Sequence, residues 1–240
     1  MVISYKQNAL HGDDLSFLKE YITGNTKYLY NMFPVYSFLP KDEPAENHIE
    51  RILRAITPGK EHIEYWFRWN EAGPWHVDGD EILFKQKKII TPLDYNAEDP
   101  NSSRVARTTH VLYLFIQNII GGELQICTSH PWEGKHILDN KWEPPNGANI
   151  TTIRPFENMA VKFPSNFYHR VKDFVPKFEG LEMKRLALVW SIWDHHPEGY
   201  KDHKYWKLTK EFGFAPAKGW RDFTYVKEWL DNTKGRLKLL

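Results

Sequence analysis

From Glu61 to Trp193 the chain is a succession of short strand-like runs, and that pattern constrains the fold more than any other feature. The runs cover His62–Trp69, Arg107–Ile116, Glu123–Thr128, Asn149–Ile153, Met159–Phe163, His169–Lys172 and Arg185–Trp193. Clusters of Pro, Gly and Asn separate them, most plainly Glu143-Pro144-Pro145-Asn146-Gly147. Many short strands with turn signals between them predict a mainly β fold, an antiparallel sandwich or barrel with the jelly roll among the candidates. Two helices are expected upstream. Asp13-Asp14 can cap the first, with Leu15, Leu18, Tyr21 and Ile22 on one stripe. The second should run from Ala45 to Ile56, with Ile49, Ile52, Leu53 and Ile56 apolar, until Pro58-Gly59 stops it. Both are expected to brace one sheet. The tail from Pro197 to Leu240 is rich in Trp and Lys and should hold a third helix over Asp222–Asn232. The expected organisation is one domain over 1–240: helical support in 1–60, a strand core in 61–194 and an extension in 195–240.

The chemistry-bearing pattern is His76-Val77-Asp78, with His169 and Arg185 far downstream. Residues two apart on a strand point to the same face, so His76 and Asp78 can reach one ion together. Two imidazoles and one carboxylate on one face of iron(II) leave three positions open for chemistry. The third ligand must come from elsewhere, and His169 is the leading candidate. Asp80 and Glu81 lie near His76 and compete with Asp78 as the carboxylate; the chain also has 11 His, so the triplet alone decides nothing. Alternation along the last strand puts Arg185, Ala187, Val189 and Ser191 on one face, with Leu186, Leu188, Trp190 and Ile192 on the other. An arginine on an inward face needs an anion to offset its desolvation; the alternative is a surface ion pair at the strand end. Thr109, Val111 and Tyr113 share one face of their strand and His110 the other, which argues against His110 as a ligand if Tyr113 points inward.

The ordered set runs Tyr65-Trp66-Phe67-Arg68-Trp69, His76-Val77-Asp78, Arg107 to Leu114, Gly121-Gly122-Glu123-Leu124, Ala160 to Pro164, His169-Arg170-Val171 and Arg185 to Trp190. In that order it resembles the 2-oxoglutarate- and iron(II)-dependent oxygenases, in their prolyl-hydroxylase-like branch. The resemblance covers roughly residues 60 to 194. It implies a double-stranded β-helix, the cupin-like jelly roll, with Fe(II) held by His76, Asp78 and His169. It implies that Arg185 binds the distal carboxylate of 2-oxoglutarate and that Tyr113 supplies a hydroxyl to it, with simple core packing as the other reading of Tyr113. Gly121-Gly122 should serve only a turn of unusual backbone angles. The implied reaction uses O2, with ascorbate as an accessory reductant. It hydroxylates a C–H bond of a peptide side chain or a small molecule and releases succinate and CO2. Two departures concern the pocket. The spacing from His169 to Arg185 is longer than usual, so Lys172–Lys184 reads as an inserted loop, and Gly79–Ala106 is long as well. Long loops at such places tend to line or cover a mouth, and the C-terminal tail could do the same.

Composition narrows the alternatives. The net charge is +1, so nothing suggests a nucleic-acid-coating protein. A nucleic-acid demethylase of the same superfamily remains a competing reading, though its second basic residue, six positions after the arginine, is Ser191 here. A non-catalytic jelly-roll binding protein is the competing reading from another class. No apolar run approaches the length of about 20 residues that a membrane span needs. The N-terminus lacks a signal-peptide core, and Cys127 is the only cysteine. A reducing cytoplasm is therefore the expected compartment.

Overall fold

The computed structural model describes residues 2–24, 37–45, 47–79, 105–131 and 143–194. Twelve strands are formed there: β1 (Ser4–Gln7), β2 (Ser37–Leu39), β3 (His62–Trp69), β4 (Gly73–His76), β5 (Thr108–Gln117), β6 (Ile119–Gly121), β7 (Leu124–Pro131), β8 (Ile150–Ile153), β9 (Met159–Pro164), β10 (Phe167–Val171), β11 (Phe174–Pro176) and β12 (Lys184–Trp193). A larger sheet has the order β1-β9-β5-β12-β3-β2, a smaller one β4-β10-β7-β8, and β11 pairs with β6 in a separate ribbon. Every strand pair is antiparallel. Along the chain, β3, β4, β5, β7, β8, β9, β10 and β12 visit the sheets as larger, smaller, larger, smaller, smaller, larger, smaller, larger. That palindromic order is a jelly roll, the double-stranded β-helix.

β12 is the strand around which the larger sheet forms. It pairs with β3 from Leu186 to Trp193 and with β5 from Lys184 to Ile192. Every β12 residue after Lys184 is buried. Its outward set, Leu186, Leu188, Trp190 and Ile192, packs with Leu112 and Leu114 of β5 and with Ile63, Tyr65 and Trp69 of β3. Two helices, α1 (Gly12–Gly24) and α2 (His48–Ile56), cover that face. Their apolar stripes supply Leu18 and Ile22, and Ile49, Ile52 and Leu53. The inward set of β12, Ala187 and Val189, meets Trp66, Val111, Tyr113, Val161 and Phe163 of the larger sheet and Leu124 and Ile126 of the smaller one. The space between the sheets is thus apolar over most of its length.

The helix ends differ from the sequence expectation for local reasons. α1 starts at Gly12, so Asp13 and Asp14 lie in its first turn instead of capping it. Acidic groups there still meet the positive end of the helix dipole, and Asp14 Oδ1 also reaches His48 Nε2 at 3.2 Å, tying α1 to α2. α2 starts at His48, later than Ala45, because Asn47 takes the cap and accepts from Glu50 N at 2.9 Å. Thr57 closes it, with its backbone N–H donating to Leu53 O.

Lys172–Lys184 is not wholly a loop. Phe174–Pro176 pairs with Ile119–Gly121, and Asn118 anchors the residues beyond that pairing. The Asn118 amide donates to Phe178 O and Leu181 O and accepts from Phe178 N. The edge strands β1 and β2 had no sequence expectation: β1 is a fully exposed Ser-Tyr-Lys-Gln with no apolar alternation to announce it. Most of Gly79–Ala106, including Asp80 and Glu81, lies outside the described residues, as do the helix over Asp222–Asn232 and the tail after Pro197. Among the described residues no helix is long and apolar enough to cross a membrane.

Leu188→Ala removes a fully buried side chain from the centre of the outer core, so a loss of about 2–5 kcal/mol is expected. Leu181→Ala, at a residue 62 % exposed, should stay within about 0.5 kcal/mol of the parent. Urea unfolding of the two variants checks the assignment of inside and outside.

Candidate metal centre

β4 ends at His76, where it pairs with His169 of β10. The ladder stops there, but the side chains keep alternating. Trp75 and Val77 pack outward with Cys127 and Tyr168, while His76 and Asp78 turn inward. Asp78 therefore reaches the ion site from just beyond the strand, not from within it, and a single bridge between Gly79 and Val105 holds the chain after it. His169 is central in the smaller sheet, between β4 and β7, and lies directly opposite His76. The His76 and His169 ring centroids are 4.3 Å apart. Asp78 stands 3.8 Å from His76 Nε2 through Oδ1 and 3.5 Å from His169 Nε2 through Oδ2. One donor atom from each residue falls within 4.8 Å of the others, the spread expected around a single ion.

Both imidazoles are oriented as ligands by the backbone behind them. His76 Nδ1 lies 2.9 Å from Pro74 O and His169 Nδ1 lies 3.1 Å from Phe167 O. A carbonyl oxygen only accepts, so each Nδ1 carries a proton and each Nε2 is the nitrogen left to face inward. Backbone carbonyls behind metal-binding histidines fix the ring and tautomer in this way. Although the His76 side chain keeps 36 % exposure, its surroundings desolvate the ring. That effect, with the His169 ring second, pushes its pKa down to about 4. His76 is thus neutral near pH 7. The third group, Asp78, takes a hydrogen bond from Thr109 Oγ1 at 2.8 Å. Two imidazole nitrogens and one oriented carboxylate fit a first-row divalent ion such as iron(II).

Arg185 lies on the same inward face of β12 as Ser191, which is hydrogen-bonded to Thr109 at the metal end. Only 2 % of Arg185 is exposed. Its Nε donates to Gly122 O at 3.2 Å, and its guanidinium carbon lies 5.4 Å from the centre of the Tyr113 ring and 5.9 Å from that of Phe174. No carboxylate among the described residues pairs with it. Burial pushes its pKa below the ordinary value, against the opposing pull of Tyr113. The Tyr113 hydroxyl is itself buried with no acceptor for its proton among the described residues; burial raises its pKa, and the Arg185 guanidinium beside it opposes that shift. A buried cation without a counter-ion and a buried hydroxyl without an acceptor are two deficits that one carboxylate would satisfy.

His76, Asp78 and His169 come together as expected, and Arg185 and Tyr113 come together beside the inner core. The surface ion-pair reading of Arg185 does not hold, because the residue is buried. His110 faces away, stacked on Trp190 at 4.7 Å, and burial followed by Lys162 pushes it to about 3. The Gly pair does more than turn the chain. Gly121 and Gly122 both have positive φ, +95° and +74°, and a Cβ on Gly121 would fall 2.4 Å from Asp173 O. Gly122 supplies the carbonyl that holds Arg185, and a Cβ there would lie 3.2 Å from Arg185 Cδ. Asn70, also at positive φ, is a further support missed in the sequence: its Oδ1 accepts from Arg185 N at 2.6 Å. The only sequence signal for it was an Asn immediately after a strand.

The sequence matches no family profile and no curated protein. Among solved structures it is similar to a prolyl-4-hydroxylase of Pseudomonas putida, at 15 % identity and a TM-score of 0.46, over 81 % of this chain and 93 % of that one. It is also similar to the viral collagen prolyl hydroxylase of Paramecium Bursaria Chlorella virus-1, solved with 2-oxoglutarate, at 11 % identity and a TM-score of 0.44, over 80 % and 96 %. A third likeness is to the non-heme alpha-ketoglutarate-dependent epimerase SnoN of nogalamycin biosynthesis, at 9 % identity and a TM-score of 0.45, over 80 % and 78 %. These are distant likenesses between whole chains; the chemistry of the site rests on the residues of this one.

Proposed function

We propose that this chain is a 2-oxoglutarate- and iron(II)-dependent oxygenase that hydroxylates a C–H bond of a peptide side chain or a small molecule. The observation that carries the reading is Arg185: a buried guanidinium with no carboxylate partner among the described residues, inside the same jelly roll as the His76–Asp78–His169 cluster. A jelly roll that only bound a metal would have no use for it.

His76, Asp78 and His169 would hold the ion through Nε2, one carboxylate oxygen and Nε2. Each Nδ1–H keeps donating, to Pro74 O and to Phe167 O, so the rings keep their orientation without further cost when the ion binds. Gly122 O occupies Arg185 Nε and leaves the two Nη groups for a two-pronged bond to the distal carboxylate. Tyr113 would donate its hydroxyl proton to the same carboxylate, and its raised pKa keeps that proton in place near pH 7. Val111, Val189 and Ile126 line the apolar space between the sheets and exclude water around the bound acid. Together iron(II) and 2-oxoglutarate supply the capacity to activate O2, with succinate and CO2 released. Positioning the substrate bond over them is the remaining task of the protein.

Anaerobic titration of the protein should give one Fe(II) per chain, and 2-oxoglutarate should then add a visible charge-transfer band. His76→Ala and His169→Ala should abolish most iron binding while far-UV circular dichroism stays unchanged. A well-folded parent protein that binds Fe(II) yet develops no band would leave a metal-binding jelly roll and end the cosubstrate reading.

Arg185→Ala should weaken 2-oxoglutarate by about 1.5–3 kcal/mol, roughly 10- to 150-fold, with Fe(II) affinity little changed. Arg185→Lys should recover part of the loss, because a point charge cannot reproduce the planar fork. Equal affinities in parent and Arg185→Ala would assign the carboxylate to another residue.

A further inference from the structure

Behind the metal-facing carboxylate stands a set of three hydroxyls that the proposed reaction leaves without a role. Thr109 of β5, Ser165 just after β9 and Ser191 of β12 are all buried. Thr109 Oγ1 lies 2.8 Å from Asp78 Oδ2, 2.7 Å from Ser165 Oγ and 3.3 Å from Ser191 Oγ. A hydroxyl has one proton to give and two lone pairs to receive with. An ionised carboxylate can only accept, so the Thr109 proton points at Asp78. The bonds from Ser165 and Ser191 must then be donated to Thr109. All three hydrogen bonds run in one direction, toward Asp78, and each polarises the next.

We propose that Thr109, backed by Ser165 and Ser191, is a positioning residue that fixes the orientation in which Asp78 meets the metal. The inference rests on the metal-centre reading above. Oδ2 accepts from the Thr109 hydroxyl, and the carboxylate held in this way presents Oδ1 at 3.8 Å from His76 Nε2 and Oδ2 at 3.5 Å from His169 Nε2. Turning the carboxylate out of this orientation would break a buried hydrogen bond and strand the three hydroxyls behind it. A carboxylate freed to turn could take a second position on the ion. Two imidazoles and one carboxylate oxygen leave three positions on a six-coordinate ion, enough for a chelating 2-oxo acid and one more ligand. A two-oxygen carboxylate leaves only two. Thr109 is visible in the sequence as an inward residue of its strand, but its partners come from the β9–β10 turn and from β12, which only the folded sheet brings to it.

The test compares Thr109→Val, which keeps the shape and loses the hydroxyl, with Thr109→Ser, which keeps the hydroxyl. The protein is loaded anaerobically with Fe(II) and 2-oxoglutarate, and nitric oxide then probes the last position by the EPR signal of high-spin iron–nitrosyl. Fe(II) affinity in Thr109→Val should fall about tenfold, the lower end of what loss of a group behind a ligand costs, and the nitrosyl signal at saturating 2-oxoglutarate should drop. Thr109→Ser should restore both. The double variant Ser165→Ala, Ser191→Ala should show the same losses in weaker form, and it carries the test if Thr109→Val does not fold. Parent-like Fe(II) affinity and nitrosyl signal in the variants lacking the hydroxyls, or equal impairment in Thr109→Val and Thr109→Ser, would overturn the positioning role. A parent protein that binds no Fe(II) would overturn the metal-centre reading itself, a result separable from either.

Discussion

The double burial of β12 is the constraint on which the rest of this structure depends. It lies between β3 and β5, and nine consecutive residues from Arg185 to Trp193 are removed from water. Because successive side chains on a strand face opposite ways, one strand serves two purposes. Leu186, Leu188, Trp190 and Ile192 weld the larger sheet to α1 and α2. Ala187 and Val189 make a smooth inner wall, with Arg185 at one end of it and Ser191 at the other. A shift of one residue in that pairing would put a guanidinium among leucines and leucines beside the metal-facing carboxylate. The ladder to β3 is unbroken, and the one irregularity, opposite Leu186 and Ala187 in β5, leaves the β12 alternation intact.

The inner space is organised as an electrostatic pair of ends separated by hydrocarbon. At one end two imidazoles and a carboxylate converge; at the other a guanidinium is held by one backbone carbonyl and two aromatic faces. Charges removed from water are costly unless they are matched. Among the described residues the two are not paired with each other: Asp78 and Arg185 lie at different ends of the inner face, and each is supported by neutral hydrogen-bonding groups. Such an arrangement favours ligands that carry the missing charges, a cation at the first end and a carboxylate at the second.

The support at the Arg185 end comes largely from residues at unusual backbone angles. Asn70, Gly121 and Gly122 all sit at positive φ, and all three touch Arg185 or the segment beside it. Asn118, at positive φ as well, uses both ends of its amide to hold residues 178 and 181. Asn and Gly are the residues that adopt this conformation most readily. The ribbon of β6 and β11 and the Arg185 end of the inner space are therefore one unit, built from turns.

The sequence by itself determined the period. Alternation separated Arg185, Ala187, Val189 and Ser191 from the leucine face, set Thr109, Val111 and Tyr113 against His110, and marked His76 and Asp78 as neighbours. Each is a local property of an extended chain, and the jelly roll keeps every one. What sequence periodicity could not reach was anything set by contacts across the sheets. The placement of His169 opposite His76 is a register between β10 and β4. The convergence of Thr109, Ser165 and Ser191 on Asp78 joins β5, β12 and the β9–β10 turn. The Gly122 carbonyl on Arg185 spans more than sixty residues of chain. The exposed edge strand β1 carries no apolar pattern, because its pairing uses backbone groups alone. The chain wrote which side chains face inward; only the closing of the two sheets decided which of them meet.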